Sequence, residues 1–450
     1  MSAALVWFRR DLRMADNYAL VRAATESSTT YGVFVLDPVV LKSAGELRLR
    51  YLLSALFDLD EQMGGRLNIL YGDPSKEVTN LCEVVGAERV YISSDVSRYS
   101  KWRDSRTRDA LNERSVSLEV CDYPTTFEPR SIHKGDGTPY QVFTPYLRAW
   151  TAKVPEVRSA PKVSVKWEYV PSQRSFPSKL NALAPYETGG ERKELEKLDT
   201  FVQSTLSRYE SERDFPAKFA TSKLSAALHF GVIHPRTIVS KLDVQAHKRF
   251  LSELCWRDFF AETLEHHPDS SWKNLNGAFD ALEVLPASGS ANFEAWKSGM
   301  TGYPIVDAGM RQLLREGYIH NRVRMIVASF LVKDLHIHWN EGAKYFFECL
   351  IDGDVASNSH GWQWVAGTGR DAAPYYRIFN PTTQGKRFDP NGEYVKRYVE
   401  ELQSVPEEFV HEPWLYVDFE GLGYPFPIVD HQLERIEALR RLESMKRDAL

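Results

Sequence analysis

Over the first 125 residues, short apolar runs alternate with amphipathic ones. Ala4–Phe8, Tyr31–Leu36, Asn68–Tyr71, Arg89–Ser93 and Ser117–Cys121 are compact runs rich in aliphatic, β-branched and aromatic side chains, which predicts buried strands. Leu47–Gln62 and Lys101–Glu113 lie between them with helical spacing. Strand–helix alternation of this kind predicts an α/β fold, a parallel sheet covered on both faces. The turn after the first strand reads Trp-Phe-Arg-Arg-Asp-Leu-Arg rather than Gly-x-Gly-x-x-Gly, so the dinucleotide fingerprint is absent.

The pattern changes twice further on. Residues 126–200 are rich in Pro, Ser and charge, and Pro155, Pro161, Pro171, Pro177 and Pro185 block long helices, which predicts an interdomain linker. From Lys197 the apolar spacing is helical, with loops expected at Pro268–Ser290 and Asp352–Pro390 and a charged helix over Asp430–Leu450. The expected division is therefore 1–125, 126–200 and 201–450, an α/β domain joined by a linker to an all-α one.

Composition narrows the function classes. Lys+Arg 56 against Asp+Glu 61 gives a formal charge of −5, so the chain is not a basic nucleic-acid coat, and any DNA site must be a local, salt-sensitive patch. Cys82, Cys121, Cys255 and Cys349 are far apart and form neither a zinc pattern nor a disulfide framework, so no metal is expected. The N-terminal apolar run meets Arg9, Arg10 and Asp11, and Met325–Val332 is too short to cross a bilayer. A soluble cytoplasmic protein is expected.

Several stretches carry chemistry. Asp352–Pro381 crowds carboxylates, Asn and alternate Trp residues among Gly and Pro, which predicts an ordered, functional loop; a Trp-rich plug of a helical core is the competing reading. Thr221–Ser225 precedes a helical run and offers hydroxyls and backbone N–H groups to a phosphate, although a plain helix cap uses the same residues. Glu253, Trp256, Arg257 and Phe260 recur at i, i+3, i+4 and i+7, so they share one helix face suited to a flat, partly polar ligand. In His320–Met325, Asn321 and Met325 are one turn apart and Arg324 points to a different side, where Asp352 is a natural counter-charge. Trp296, Trp339 and Trp362 are each, taken singly, ordinary core residues.

Together these motifs resemble the photolyase/cryptochrome flavoproteins, and specifically a class I cyclobutane pyrimidine dimer photolyase. The resemblance runs through Trp7-Phe-Arg-Arg-Asp-Leu-Arg-Met-Ala-Asp-Asn17, Thr221–Ser225, Glu253-Leu-Cys-Trp-Arg-Asp-Phe259, Thr301–Asp307, His320–Met325, Asp352–Trp364 and Arg377–Gly385. It implies a Rossmann-like antenna domain, a long linker and a helical FAD-binding domain. It also implies light-driven electron transfer from fully reduced FAD to a flipped-out pyrimidine dimer, ring splitting and return of the electron.

The same resemblance implies residue roles. Tyr209, Thr221, Ser222, Lys223, Leu224 and Ser225 would hold the FAD phosphates and ribitol. Arg324 and Asp352 would pair against the isoalloxazine, with Gly353, Asp354, Arg257 and Asn321 also at the cofactor and Asn358 facing flavin N5. Glu253, Trp256, Asn321, Met325 and Trp364 would receive the dimer; a His-His arrangement, as in (6-4) photolyases, is replaced here by His320-Asn321. Arg213, Arg257, Arg322 and Arg377 would contact DNA phosphates, with Lys386 and Arg387 behind them. Trp362, Trp339 and Trp296 would lead from the flavin outward to the surface.

For the antenna chromophore, Arg48 matches a position used by deazaflavin-binding members, whereas Ser97 replaces an expected carboxylate. The expectation is 8-hydroxy-5-deazaflavin, with another flavin, methenyltetrahydrofolate or an empty site as alternatives. The implied partner is ultraviolet-damaged DNA, acted on by a monomer with no membrane and no obligate protein partner. A cryptochrome-like photoreceptor and a light-independent flavin oxidoreductase are the competing classes.

Overall fold

The computed structural model describes residues 3–171, 175–186, 189–370 and 376–448. Five parallel strands, β1 (Ala3–Phe8), β2 (Thr29–Leu36), β3 (Leu67–Tyr71), β4 (Ala87–Ser93) and β5 (Ser117–Asp122), lie in the order β3-β2-β1-β4-β5. A two-residue strand, β6 (Trp167–Glu168), pairs with the start of β2. Each of the five predicted strands is present to within two residues, because a parallel strand buried on both faces reads as an unbroken apolar run. Leu5, Trp7, Val33, Val90 and Ile92 are buried in the core on which the sheet rests.

The chain divides into two compact units, and the division differs from the expected one. The first holds Met1–Ser207, Ser222–Pro268 and Ile351–Ala356; the second holds Arg208–Thr221, Asp269–Leu350 and Ser357–Leu450. The first unit therefore keeps the proline-rich stretch, which carries a helix at Phe143–Lys153, together with the long Lys248–His266 helix. Prolines stop long helices but do not forbid short ones packed on a neighbour. Phe143 and Tyr146 of that helix pack on Phe259 at ring-centroid distances of 5.8 and 5.1 Å.

The second unit is helical around a single apolar core that includes Trp296, Val323, Phe330, Trp339, Phe346, Trp362 and Tyr394. The expected loop over Asp352–Pro390 is largely helical, with helices at Val355–Ala366 and Pro381–Phe388; residues 371–375 lie outside the described residues. Gly361 and the Asn and Ser positions weaken helix propensity, but burial of Trp362 and Ala366 in this core outweighs it. No helix among the described residues is long and apolar enough to cross a membrane.

Two arginines after β1, together with Arg236, hold the first unit together. Arg9 donates to Asp104 at 2.6 Å, and Arg13 donates to the carbonyls of Asp16 and Gly231. Arg236 makes two 2.7 Å bonds to Asp122 at the end of β5; burial would raise the Asp122 pKa, but Arg236 outweighs it and holds the carboxylate at about 2. Gly231 ends the Ser225–Phe230 helix at φ +64°, and a Cβ there would lie 1.8 Å from the Arg10 carbonyl oxygen. Gly231→Ala is expected to cost about 2 kcal/mol or more, because left-handed strain and overpacking add. Thermal unfolding checks this; an unchanged Tm would mean the backbone shifts without cost.

Candidate functional site

In the first unit the decisive surface is one side of the Lys248–His266 helix. From Phe250 to Leu264 every residue is buried except Glu253, Trp256, Arg257 and Phe260, the four predicted to share a face. An indole, a carboxylate and a guanidinium are thus left half-exposed on an otherwise buried helix. Trp256 stacks one face on Phe143 at 3.6 Å and 8°, which fixes the ring and leaves its other face for a ligand. Glu253 lies 3.9 Å from Arg249 on the same helix.

Arg257 is tied differently from the expectation. Its guanidinium donates to the backbone carbonyls of Pro124 and Leu228, so it belongs to the interior side of this face rather than to a DNA phosphate. Burial, the larger cause, lowers its pKa against the opposing pull of Asp354. Asp352 is 9% exposed, and Asp354 accepts from Arg10 at 2.6 Å. Ser222, Lys223, Leu224 and Ser225 lead into a short helix whose first turn has no side-chain cap, so the competing helix-cap reading of this stretch fails. Lys223 adopts φ +51° and its carbonyl accepts from Lys197, while Thr221 falls in the second unit. Arg48 is 7% exposed on the Glu46–Gln62 helix, and Ser97 caps the helix that starts at Arg98.

In the second unit the Asn321–Ser329 helix buries Val323, Ile326 and Val327 and leaves Asn321, Arg322, Arg324 and Met325 on the opposite side. At about 100° per residue Arg324 sits only about 60° from Asn321, so the two share one open arc. Arg324 donates Nε to the Ile319 carbonyl at 2.9 Å. Arg322 pairs with Asp214 at 3.0 Å and stacks over Phe388. Arg213, expected on DNA, is 9% exposed and donates to the hydroxyl of buried Tyr209 at 3.2 Å. Arg377, Lys386 and Arg387 are exposed.

The Val355–Ala366 helix presents Asn358 and Trp362 one turn apart, with half-exposed Trp364 on another side. Asn358 donates Nδ2 to the Ala343 carbonyl at 2.8 Å, which orients the amide and leaves Oδ1 as an acceptor. Trp362 meets Trp296 edge-on at 6.1 Å and Phe346 at 5.0 Å. Trp296 is 0% exposed, so its side chain does not itself reach the surface. Trp339 is buried too, donating to Asn274 at 2.7 Å, and makes no ring contact with Trp296 or Trp362 among the described residues. Sequence reasoning missed Gly342, where a Cβ would lie 2.2 Å from the Trp362 ring. A glycine inside a helix costs about 1 kcal/mol of propensity, a signal that something needs the space.

In the first unit, carboxylates next to arginines and a capless hydroxyl-rich segment suit a polar heterocycle with a phosphate tail, the chemistry of a flavin nucleotide. The Nδ1 of His229, buried and without a hydrogen-bond partner, lies in the same charged cluster as Asp354.

Residues 4–164 match the family model described as DNA photolyase, and residues 250–444 match the FAD binding domain of DNA photolyase. The chain is 39% identical to the deoxyribodipyrimidine photo-lyase of Agrobacterium fabrum, over 98% of each chain. The chain belongs to the DNA photolyase family. It is 37% identical to the deoxyribodipyrimidine photo-lyase of Escherichia coli, covering 99% of this chain and 100% of that one. Among solved structures, a bacterial class III photolyase from Agrobacterium tumefaciens superposes with TM-score 0.90 at 36% identity, covering 99% of this chain and 98% of that one. An archaeal photolyase from Sulfolobus tokodaii, described with two FAD molecules, superposes with TM-score 0.86 at 30% identity, covering 98% of this chain and all (100%) of that one. These relatives set the family and the FAD-binding domain; the photolyase class is finer than they reach.

His320 supplies a pH handle beside these residues. It caps the Asn321 helix by accepting from the Arg322 N–H, and burial drives its pKa down to about 4. The folded state therefore holds fewer protons than the unfolded one between the two pKa values. Stability is full above about pH 6.5 and falls as pH drops toward 4, by up to about 3 kcal/mol. Denaturant unfolding at both ends of that window checks this; His320→Asn keeps a cap and should flatten the acid limb.

Proposed function

We infer that this protein is a deoxyribodipyrimidine photo-lyase that repairs cyclobutane pyrimidine dimers in DNA with blue light. The observation that carries the reading is the half-exposed arc of the Lys248–His266 helix, which brings the Glu253 carboxylate and the Trp256 indole, stacked on Phe143, onto one face. When bound, FAD in its fully reduced form supplies the electron that splits the dimer, and it takes the electron back.

The protein's own groups bind and orient. Trp256 offers its free face to an extruded, unstacked lesion, and Trp364, Met325 and Asn321 add apolar and amide contacts of the kind a flipped pyrimidine needs. Glu253 hydrogen-bonds the base edges and stabilises charge where it develops on the dimer. Asn358 holds an acceptor and an oriented amide toward the flavin ring edge, and Arg324, Asp352, Gly353 and Asp354 line the cofactor. Tyr209, Thr221, Ser222, Lys223, Leu224 and Ser225 take its tail. Exposed Arg377, Lys386 and Arg387, with Arg322, position the DNA backbone without reading sequence. Trp362, Trp296 and Trp339 serve reduction of oxidised FAD by light rather than each repair turnover. The protein acts as a monomer on damaged DNA.

Within the family, class I is supported by the set Glu253, Trp256, Asn321, Met325 and Trp364, and Arg48 supports a deazaflavin antenna. A class III assignment is favoured by the 0.90 TM-score to the class III structure. A photoreceptor reading has a cryptochrome from Synechocystis behind it, with TM-score 0.89 but only 26% identity over 98% of this chain and 99% of that one. The absorbance spectrum of the chromophore released from purified protein separates the antenna assignments.

Reduced protein mixed anaerobically with ultraviolet-irradiated oligothymidylate should restore thymine absorbance under blue light and not in the dark. No recovery from FAD-loaded protein would move the chain to another lesion or to the photoreceptor branch. In Glu253→Ala, repair per photon should fall about 10-fold or more while DNA binding persists, in line with loss of one charge-stabilising donor or acceptor. Trp362→Phe should abolish photoreduction of oxidised FAD yet leave chemically reduced enzyme competent; loss of both activities would mean the indole is structural.

A further inference from the structure

The strand order β3-β2-β1-β4-β5 reverses direction between β1 and β4. In open parallel sheets the crevice beyond the carboxyl ends of the strands at such a switch point is where a ligand binds. Here the two loops that frame that crevice are filled by charge. Arg10, two residues past β1, donates Nη1 to both oxygens of Asp95, two residues past β4, at 3.3 Å each. Its Nη2 donates to Asp354 at 2.6 Å and its Nε to the His229 carbonyl at 3.0 Å. All these residues belong to the first unit.

The arrangement spends the guanidinium fork on three acceptors from three separate segments. Close packing supports it: the Arg10 carbonyl rests on Gly231, and Leu12 N–H donates to Phe230 at 3.3 Å. Arg10 is only partly exposed, with 22% of its side chain open, and Asp95 and Asp354 are less exposed still, at 9% and 14%. An arginine shared by two carboxylates leaves the trio one negative charge overall. Without it, the repulsion between Asp354 and Asp95 would no longer be offset by the cation they share.

We propose that Arg10 is a positioning residue for the flavin: from the switch point of the sheet it holds Asp354 ionised and in place, and so sets the affinity and reduction potential of bound FAD. The proposal rests on the reading above that Asp354 lies at the cofactor. It gives the Arg-Arg-Asp turn after β1 a chemical duty in place of the glycine-rich phosphate loop. Reduction adds negative charge to the flavin, so an Asp354 carboxylate that Arg10 no longer offsets makes reduction harder.

The test uses the full chain and two readouts besides repair, the dissociation constant for FAD and the midpoint potential of bound FAD. Arg10→Gln should weaken FAD at least about fivefold and shift the potential to more negative values, the size of a typical coupling between sites. Arg10→Lys, which keeps the charge but not the fork, should recover most of the potential shift and less of the affinity. Asp354→Asn should change both readouts, and adding Arg10→Gln to it should change little more, because the two act as one unit. Wild-type affinity and potential in Arg10→Gln, with Asp354→Asn altered, overturn the proposal and leave Asp354 at the flavin. Additive effects overturn it too, since Arg10 would then act through another group. Wild-type values in Asp354→Asn take Asp354 away from the flavin and remove the premise. Should Arg10→Gln not fold, Asp95→Asn carries the test, because deleting the competing carboxylate should shift the potential the opposite way; an unmoved potential there overturns the proposal.

Discussion

A charge placed inside a protein must be met by another, and the turn after β1 puts three such charges in one place. Arg9, Arg10 and Arg13 leave the strand end within five residues, and each finds carboxylates or carbonyls from distant segments. Desolvating an ion costs several kcal/mol, so a buried arginine deprived of its partner destabilises far more than the pair ever stabilised. This makes the turn a clamp. It ties the sheet to Asp104, Asp95 and Gly231, and it reaches the Ile351–Ala356 segment through Asp354. The placement of the Asp354 carboxylate thus depends on a residue near the other end of the chain.

The same economy of exposure decides where binding chemistry can sit. Two helices, Lys248–His266 and Asn321–Ser329, are buried along most of their faces and open along one arc. On each, the open arc carries the residues that a core would reject: a carboxylate and indole on the first, an amide, arginines and a methionine on the second. A helix that pays the burial cost on three sides and keeps polar groups on the fourth is held rigidly enough to present them. Stacking of Trp256 on Phe143 at 3.6 Å adds to that rigidity, since one ring face is already spent.

Local pattern reads well where the period of the element is also the period of its burial. The five strands and the Glu46–Gln62 helix follow from apolar spacing alone, as does the four-residue face of the Lys248–His266 helix. Elsewhere tertiary context overrides local preference. The Val355–Ala366 segment looks like a loop because Gly361, Asn358 and the serines are poor helix formers, yet Trp362 and Ala366 are core residues and hold it helical. Arg213 looks like a surface cation, and only the Tyr209 hydroxyl 3.2 Å away shows that it faces inward. The Arg10–Asp354 bond joins positions 344 apart, and no spacing rule reaches that far.

The tryptophans show why a resemblance needs geometry before it becomes a route. Among the described residues, the indole in ring contact with Trp362 is Trp296 at 6.1 Å. Trp296 and Trp339 are 0% and 1% exposed, so both are enclosed by the core. Half-buried Tyr345 is the next ring outward from Trp296, at 5.9 Å, with its hydroxyl on the Lys297 carbonyl. This packing depends in turn on Gly342, whose missing side chain is what lets Trp362 lie against the Trp339–Cys349 helix. Residue identity places indoles in this region; only their burial and spacing decide which of them can act in sequence.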